Sequence, residues 1–326
     1  MAINLLALEP NRVSRDLSGY ITYLYGAAKV GKTTLCSKFP KTLILAFEVG
    51  TNALPGVFAQ PITKWSEFKE TLRELKKAEV KERFSTIVID TLDVAQAMCE
   101  KYICNQLGID SMGEGGWGTN SWTKYKRELE ETFRSITQMG YALVVISHDQ
   151  DKTFKRKDGT EYNQIVPTAQ KSANNIVKDM ADLYIYACLD EATKERKLIL
   201  RSLDGTVDCG SRFRYMPAEI PLDYDALVRA LNEAIDKEAA EHDNKYVTEE
   251  RISPAPVETK YDYDALIEEF NNFVAPFMQK NPQYYAPRIV SIVEKYLGKG
   301  KKVSDTTIDQ AEFIYLILGE LKEEIK

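Results

Sequence analysis

Residues 25–35 read YGAAKVGKTTL, and within them Gly26-Ala27-Ala28-Lys29-Val30-Gly31-Lys32-Thr33 keeps the spacing G-x-x-x-x-G-K-[ST]. Each position has a chemical reason. Gly26 and Gly31 let the backbone turn so that successive N–H groups converge on phosphate oxygens. Lys32 is placed to neutralise β- and γ-phosphates, and the Thr33 hydroxyl can ligate magnesium. The apolar run YITYLY (20–25) ahead of the loop reads as a strand, and TTLCSKF (33–39) behind it reads as a helix opening at Thr33 and Thr34. A glycine turn with an idle lysine would need neither flank.

Outward from the loop, further apolar, β-branched runs recur: TLILAF (42–47), STIVID (85–90), ALVVIS (142–147), LYIYA (183–187) and KLILRS (197–202). Their near-continuous apolar character predicts strands buried on both faces. Between them SEFKETLRELKKA (66–78) sets Phe68, Leu72 and Leu75 at helical spacing, and YKRELEETFRSITQM (125–139) does so with Tyr125, Leu129, Phe133 and Ile136. Strand and helix in alternation predict an α/β domain, a mainly parallel sheet flanked by helices. STIVID ends in Asp90, whose carboxylate would hold magnesium through water from the strand neighbouring the loop strand. Thr91 follows it, where many ATPases carry the glutamate that activates water, so that seat is empty. An acid does end another strand: Glu48, 16 residues after Lys32, is a candidate general base if its strand lies beside the loop strand or the Asp90 strand. The competing reading is a solvated glutamate at a strand end.

The pattern changes near residue 236. DKEAAEHDNKYVTEERISPAPVETKYD (236–262) is charged, holds Pro254 and Pro256, and has no apolar period. Beyond it Leu266, Phe270, Phe273 and Phe277 recur at helical spacing, followed by PRIVSIVEKYL (287–297) and by TIDQAEFIYLILGELKEEI, opened by a Thr307/Gln310 capping box. The expected division is residues 1–240 for the α/β domain, 241–260 for a linker and 261–326 for a small all-α domain. With 44% hydrophobic and 28% charged residues, the chain is read as globular. It shows neither a secretory leader nor a membrane-spanning run, so a cytoplasmic location without membrane attachment is expected. Five scattered cysteines read as reduced, buried thiols, and two histidines, His148 and His242, give zinc almost no ligands. The expected metal is magnesium on oxygen atoms. A net charge of −6 offers no global attraction for nucleic acid, so any such surface must be local.

Glu48 on the strand after the loop helix, with Asp90 on a later strand, resembles the RecA-like P-loop ATPases. That resemblance implies ATP as nucleotide and a polar sensor of the γ-phosphate at the end of ALVVISHDQ, where His148 stands; the alternative for His148 is a strand cap. More narrowly, the run from YGAAKVGKTT through SHDQDKTFKRKDGTEY to ADLYIYA and SRFRYMP is similar to phage-encoded nucleotide-binding proteins with a minimal RecA-like core, over residues 15–235. Membership of that group implies single-strand annealing, homologous recombination or repair, a homo-oligomer, and a single-strand-binding or annealing protein as partner. It also implies an inter-subunit finger, for which CGSRFR offers only Arg212 or Arg214, without the lysine often found just before.

RecA-like proteins bind single strands through loops after the magnesium and sensor strands. Here the first is GIDSMGEGGWGTNSWTKYKRE (108–128), with Trp117 expected exposed, Trp122 expected in the core and Lys124 beside them. The second is DKTFKRKDGTEYNQ (151–164), where Lys152, Lys155, Arg156 and Lys157 surround Phe154 ahead of an Asp158-Gly159 turn. Aromatic platforms beside cations suit stacking on bases, though a charged hairpin is equally a solvated one. The leading expectation is a magnesium-dependent ATPase acting on single-stranded DNA. The alternatives are a nucleotide switch serving a helicase or nuclease as adaptor, and a nucleoside or nucleotide kinase.

Overall fold

The computed structural model describes residues 6, 8–114, 118, 120–243, 245–254 and 261–325. The chain divides into two compact units, Met1–Val257 and Glu258–Lys326. In the first, strands β1 (Val13–Ser14), β2 (Thr22–Gly26), β3 (Thr42–Ala46), β4 (Phe58–Pro61), β5 (Thr86–Asp90) and β6 (Ala142–Ser147) come before a hairpin of β7 (Asp149–Lys155) and β8 (Glu161–Pro167). Then follow β9 (Leu183–Leu189), β10 (Arg196–Ile199), β11 (Gly210–Ser211), β12 (Glu219–Pro221) and β13 (Val247–Thr248). The helices of this unit are α1 (Lys32–Cys36), α2 (Trp65–Glu74), α3 (Ala78–Arg83), α4 (Leu92–Leu107), α5 (Ser121–Gln138), α6 (Lys171–Met180) and α7 (Tyr224–Ala240).

The central sheet has the order β12-β10-β9-β2-β6-β5-β3-β4, with β11 also on β9. From β9 to β4 all pairs are parallel, whereas β10, β11 and β12 run antiparallel. The sheet is therefore mixed, not mainly parallel as the alternation implied. The reason lies in connection length: β9 and β10 are joined by a short turn after Leu189, too short for the helical crossover that a parallel pair needs.

Alternation along the strands builds two cores. Tyr23, Tyr25, Ile87, Ile89, Leu143, Val145, Tyr184 and Tyr186 face one side, where Phe68 of α2, Cys99 of α4, Phe133 of α5 and Val177 of α6 pack. Leu24, Val88, Val144, Ile146 and Ile185 face the other, against Leu35 of α1 and Leu227, Leu231 and Ile235 of α7. This doubly covered arrangement explains the unbroken apolar runs.

Much of the stretch expected as a linker belongs to the first unit. Val247–Thr248 adds as a parallel strand to Val13–Ser14, and Arg251 donates to the carbonyls of Ser18 (3.0 Å) and Gly140 (2.7 Å). These contacts are made by backbone and by one arginine, so no apolar period announced them.

The second unit packs α8 (Tyr263–Lys280), α9 (Pro282–Leu297) and α10 (Ala311–Glu324) around Leu266, Ile289, Ile292, Ile314, Ile317 and Leu321. Helix α9 opens at Pro282, earlier than the period at 287 indicated, because Asn281 caps it by accepting from Tyr284 N–H at 3.2 Å. The Thr307/Gln310 box caps a 3₁₀ turn (Ile308–Gln310) that leads into α10.

Candidate active site

The register brings several strand ends level. Asp90 stands between Ala46 on β3 and Ile146 on β6, and Tyr25 on β2 stands opposite Ser147. Residues immediately past these ends therefore emerge at one carboxyl edge, where open α/β sheets bind ligands. Glu48 follows β3, which does pair with β5. The strand of Asp90 is not the neighbour of the loop strand, however: β6 lies between β2 and β5. Thr33 spans that gap, its Oγ1 donating to Asp90 Oδ2 at 2.9 Å.

Two glycines are required where they stand. Gly26 has φ +154°, and a Cβ there would come within 2.1 Å of the Ala187 carbonyl oxygen of β9; Gly31, at φ +115°, opens α1 in a left-handed conformation. Ala27, Ala28, Lys29 and Thr34 are exposed along the loop and Val30 is buried. Lys32 is buried, and its Nζ donates to the Gly26 carbonyl at 2.6 Å and the Ala27 carbonyl at 2.8 Å. Burial lowers its pKa, opposed by Asp149, Asp90, Asp93 and Glu48. Burial likewise raises the Asp90 pKa; the Thr33 hydrogen bond counters this, Glu48 adds to it, and Lys32 and His148 counter it again.

The Thr33 hydroxyl and the buried Asp90 carboxylate offer adjacent hard oxygens, and among the described residues no group of three or more His, Cys, Asp or Glu gathers as a metal cage. That donor set fits magnesium, which keeps waters and phosphate oxygens as its other ligands. Bound there, the cation would neutralise phosphate charge.

Glu48 is held from both sides. Thr91 Oγ1 donates to Glu48 Oε1 at 2.5 Å, and His148 Nε2 lies 3.4 Å from Glu48 Oε2. The N–H groups of Phe47 and Glu48 both reach the Asp90 carbonyl, at 2.7 and 3.1 Å, tying the end of β3 to β5. His148 N–H in turn donates to Asp93 Oδ2 at 3.2 Å. Sequence reading missed Thr91 and Asp93: it treated the position after Asp90 only as an empty seat for a glutamate. The position itself was the available signal, since its hydroxyl must emerge at the same edge.

Past His148 the hairpin begins. Its register sets Phe154 opposite Tyr162, with ring centroids 5.7 Å apart; Lys152 lies over the Phe154 ring and Arg156 over the Tyr162 ring, at 5.7 and 4.7 Å. Lys155 belongs to the alternate face and Lys157 to the turn. Tyr162 is an addition that only pairing could reveal. The root is fastened by Tyr186 O–H to Asp149 Oδ2 (3.0 Å) and Tyr25 O–H to the Ile165 carbonyl (3.1 Å).

In the other expected strand-binding segment Trp117 lies outside the described residues, and Lys124 is exposed on α5. Trp122, expected in the core, is 45% exposed, because the buried face of α5 runs through Ser121, Tyr125 and Leu129 and leaves Trp122 one residue off it. Arg212 and Arg214 follow β11 at the opposite, amino edge: Arg212 pairs with Asp182 at 3.2 Å and Arg214 with Glu241 at 3.3 Å.

A family model described as an AAA domain matches residues 18–213. The chain is also 28% identical, over 331 residues and 99% of each chain, to the SPbeta prophage-derived uncharacterized protein YorG of Bacillus subtilis (strain 168). No helix among the described residues is long and apolar enough to cross a membrane.

Proposed function

The chain belongs to the AAA domain family of nucleotide-hydrolysing P-loop ATPases, and on that footing we propose that it is a magnesium-dependent ATPase acting on single-stranded DNA in phage-type homologous recombination, annealing or repair. In this reading the loop Gly26–Thr34 cradles the triphosphate, Thr33 and Asp90 hold magnesium, and Lys32 binds the β- and γ-phosphates. Glu48, oriented by Thr91, accepts the proton of the attacking water, and His148 reports the γ-phosphate to the hairpin that follows it.

The observation that carries the DNA assignment is that hairpin. It is a two-stranded ribbon rooted one residue past His148, presenting the stacked Phe154 and Tyr162 with Lys152 and Arg156 over their rings. Flat rings interleaved with cations bind successive bases without reading sequence. A homo-oligomer belongs to the same reading, and Arg212 or Arg214 would meet phosphates only across a subunit boundary. A separately packed helical unit favours a second reading, in which the ATPase is a nucleotide-dependent adaptor for a helicase or nuclease.

Steady-state ATP hydrolysis with magnesium, alone and with single-stranded or duplex DNA, tests the proposal beside a Lys32→Ala control. Stimulation by single strands that disappears in the Phe154→Ala/Tyr162→Ala variant is the expected result. Hydrolysis indifferent to DNA would sink the DNA assignment and leave the adaptor.

A further inference from the structure

The antiparallel wing reaches back to the phosphate loop. Because β10 runs against β9, its first residue, Arg196, stands opposite Leu189, two residues beyond the Ala187 that pairs with Gly26. Arg196 thus falls at the carboxyl edge. Its guanidinium lies against the loop: a Cβ on Gly31 would sit 3.5 Å from Arg196 Nη1 and 3.5 Å from Leu222 Cδ2. The Leu222 N–H donates to the Arg196 carbonyl at 2.9 Å, which fixes the two residues side by side.

Lys197 pairs with Asp190 (2.9 Å) and Glu219 (3.1 Å), and the amino-edge arginines each have a carboxylate. Arg196 is exposed, and among the described residues its guanidinium takes part in no ion pair or hydrogen bond. A cation without a carboxylate partner is thereby held against the loop beside Gly31, where an anion bound to the loop N–H groups would meet it. The glycine at position 31, with φ +115°, brings the loop backbone to within van der Waals reach of the guanidinium.

Resting on the nucleotide-binding reading of the loop, we infer that Arg196 is a phosphate ligand contributed in cis. Its planar fork binds α- and β-phosphate oxygens beside Gly31, and Leu222 forms the apolar wall next to it. The antiparallel wing is then the outer wall of the nucleotide pocket. The contact lies beside Gly31, on the part of the loop that cradles the α- and β-phosphates, so ADP and ATP share it.

Calorimetric titration of the full chain with magnesium-ADP and magnesium-ATP decides this, using wild type, Arg196→Ala and Arg196→Lys. Arg196→Ala should weaken both nucleotides on the order of tenfold to a hundredfold, the range of a lost charged hydrogen bond, with Arg196→Lys recovering part of it. The melting temperature without nucleotide should stay at the wild-type value, since the side chain has no partner to lose. Unchanged affinity in Arg196→Ala overturns the inference alone, and a loss confined to ATP overturns the α/β assignment. A wild-type chain that binds neither nucleotide overturns it together with the proposed function.

Discussion

At the carboxyl edge of the sheet Asp90 meets a hydroxyl, Glu48 meets a hydroxyl and an imidazole, and Lys32 meets two carbonyls of its own loop. At the amino edge the charged groups meet one another and backbone. Asp182 accepts from Ile21 N–H at 2.8 Å and pairs with Arg212, Arg212 also donates to the Asp179 carbonyl, and Arg251 donates to two carbonyls. Asp90 and Asp182 are both raised by burial, so burial alone does not separate the carboxylate proposed to hold magnesium from the one in an ion pair. What separates them is the partner: Asp182 holds a cation and an N–H, whereas Asp90 has a single neutral donor and keeps more of its acceptor sites free.

The sharpest way to break that contrast is Glu48→Gln. With the proton acceptor gone, ATP turnover should fall by about a hundredfold to ten-thousandfold while nucleotide binding persists; phosphate release and calorimetry check the two halves. Full turnover in this variant would reduce Glu48 to a strand-end acid. Next in size is the hairpin. Removing both rings in Phe154→Ala/Tyr162→Ala should weaken single-strand binding by at least roughly tenfold, given about 1–3 kcal/mol for each stacked base, measured by fluorescence anisotropy at fixed salt.

Asp90→Asn tests the carboxyl edge through stability. Burial raises the Asp90 pKa, so the ionised form is the costly one; the group's stabilisation is full below its unfolded-state value and is lost as pH rises through the raised folded value. The asparagine variant should therefore be more stable than wild type at neutral pH, without nucleotide, by about 1 kcal/mol, as relieved functional strain commonly gives. That gain should vanish as pH falls below the ordinary aspartate range, and melting curves against pH would show it. The smallest effect on turnover belongs to the amino edge: Arg212 is exposed but its partner Asp182 is not, so Arg212→Ala should cost on the order of 1–2 kcal/mol of stability and leave ATP turnover unchanged in dilute monomer. Turnover lost only under conditions of self-association would instead mark Arg212 as a finger into a neighbour.

The loop, Asp90, Glu48 and His148 were legible because each follows an apolar run, and strands that end at one edge deliver their next residues to one place. Thr91 and Asp93 were not, because hydroxyls and acids at the start of a helix look the same whether they cap it or orient a neighbour. Arg196 was invisible for another reason: it lies 165 positions beyond Gly31, and only the reversal of β10 against β9 returns it to the loop.

By itself the sequence determined the α/β class, the phosphate loop, the helical character of the stretch from Tyr263 to Glu324 and which side chains leave the strands at the carboxyl edge. All of these follow from local constraints, the glycine conformations and the apolar period. Tertiary structure decided the strand order that inserts β6 between β2 and β5, the antiparallel wing, the docking of 247–251 on the first unit and the pairing of Phe154 with Tyr162. Those depend on contacts between segments far apart in the chain, where the backbone hydrogen bonds are the same for every sequence and only complementary packing selects the partner.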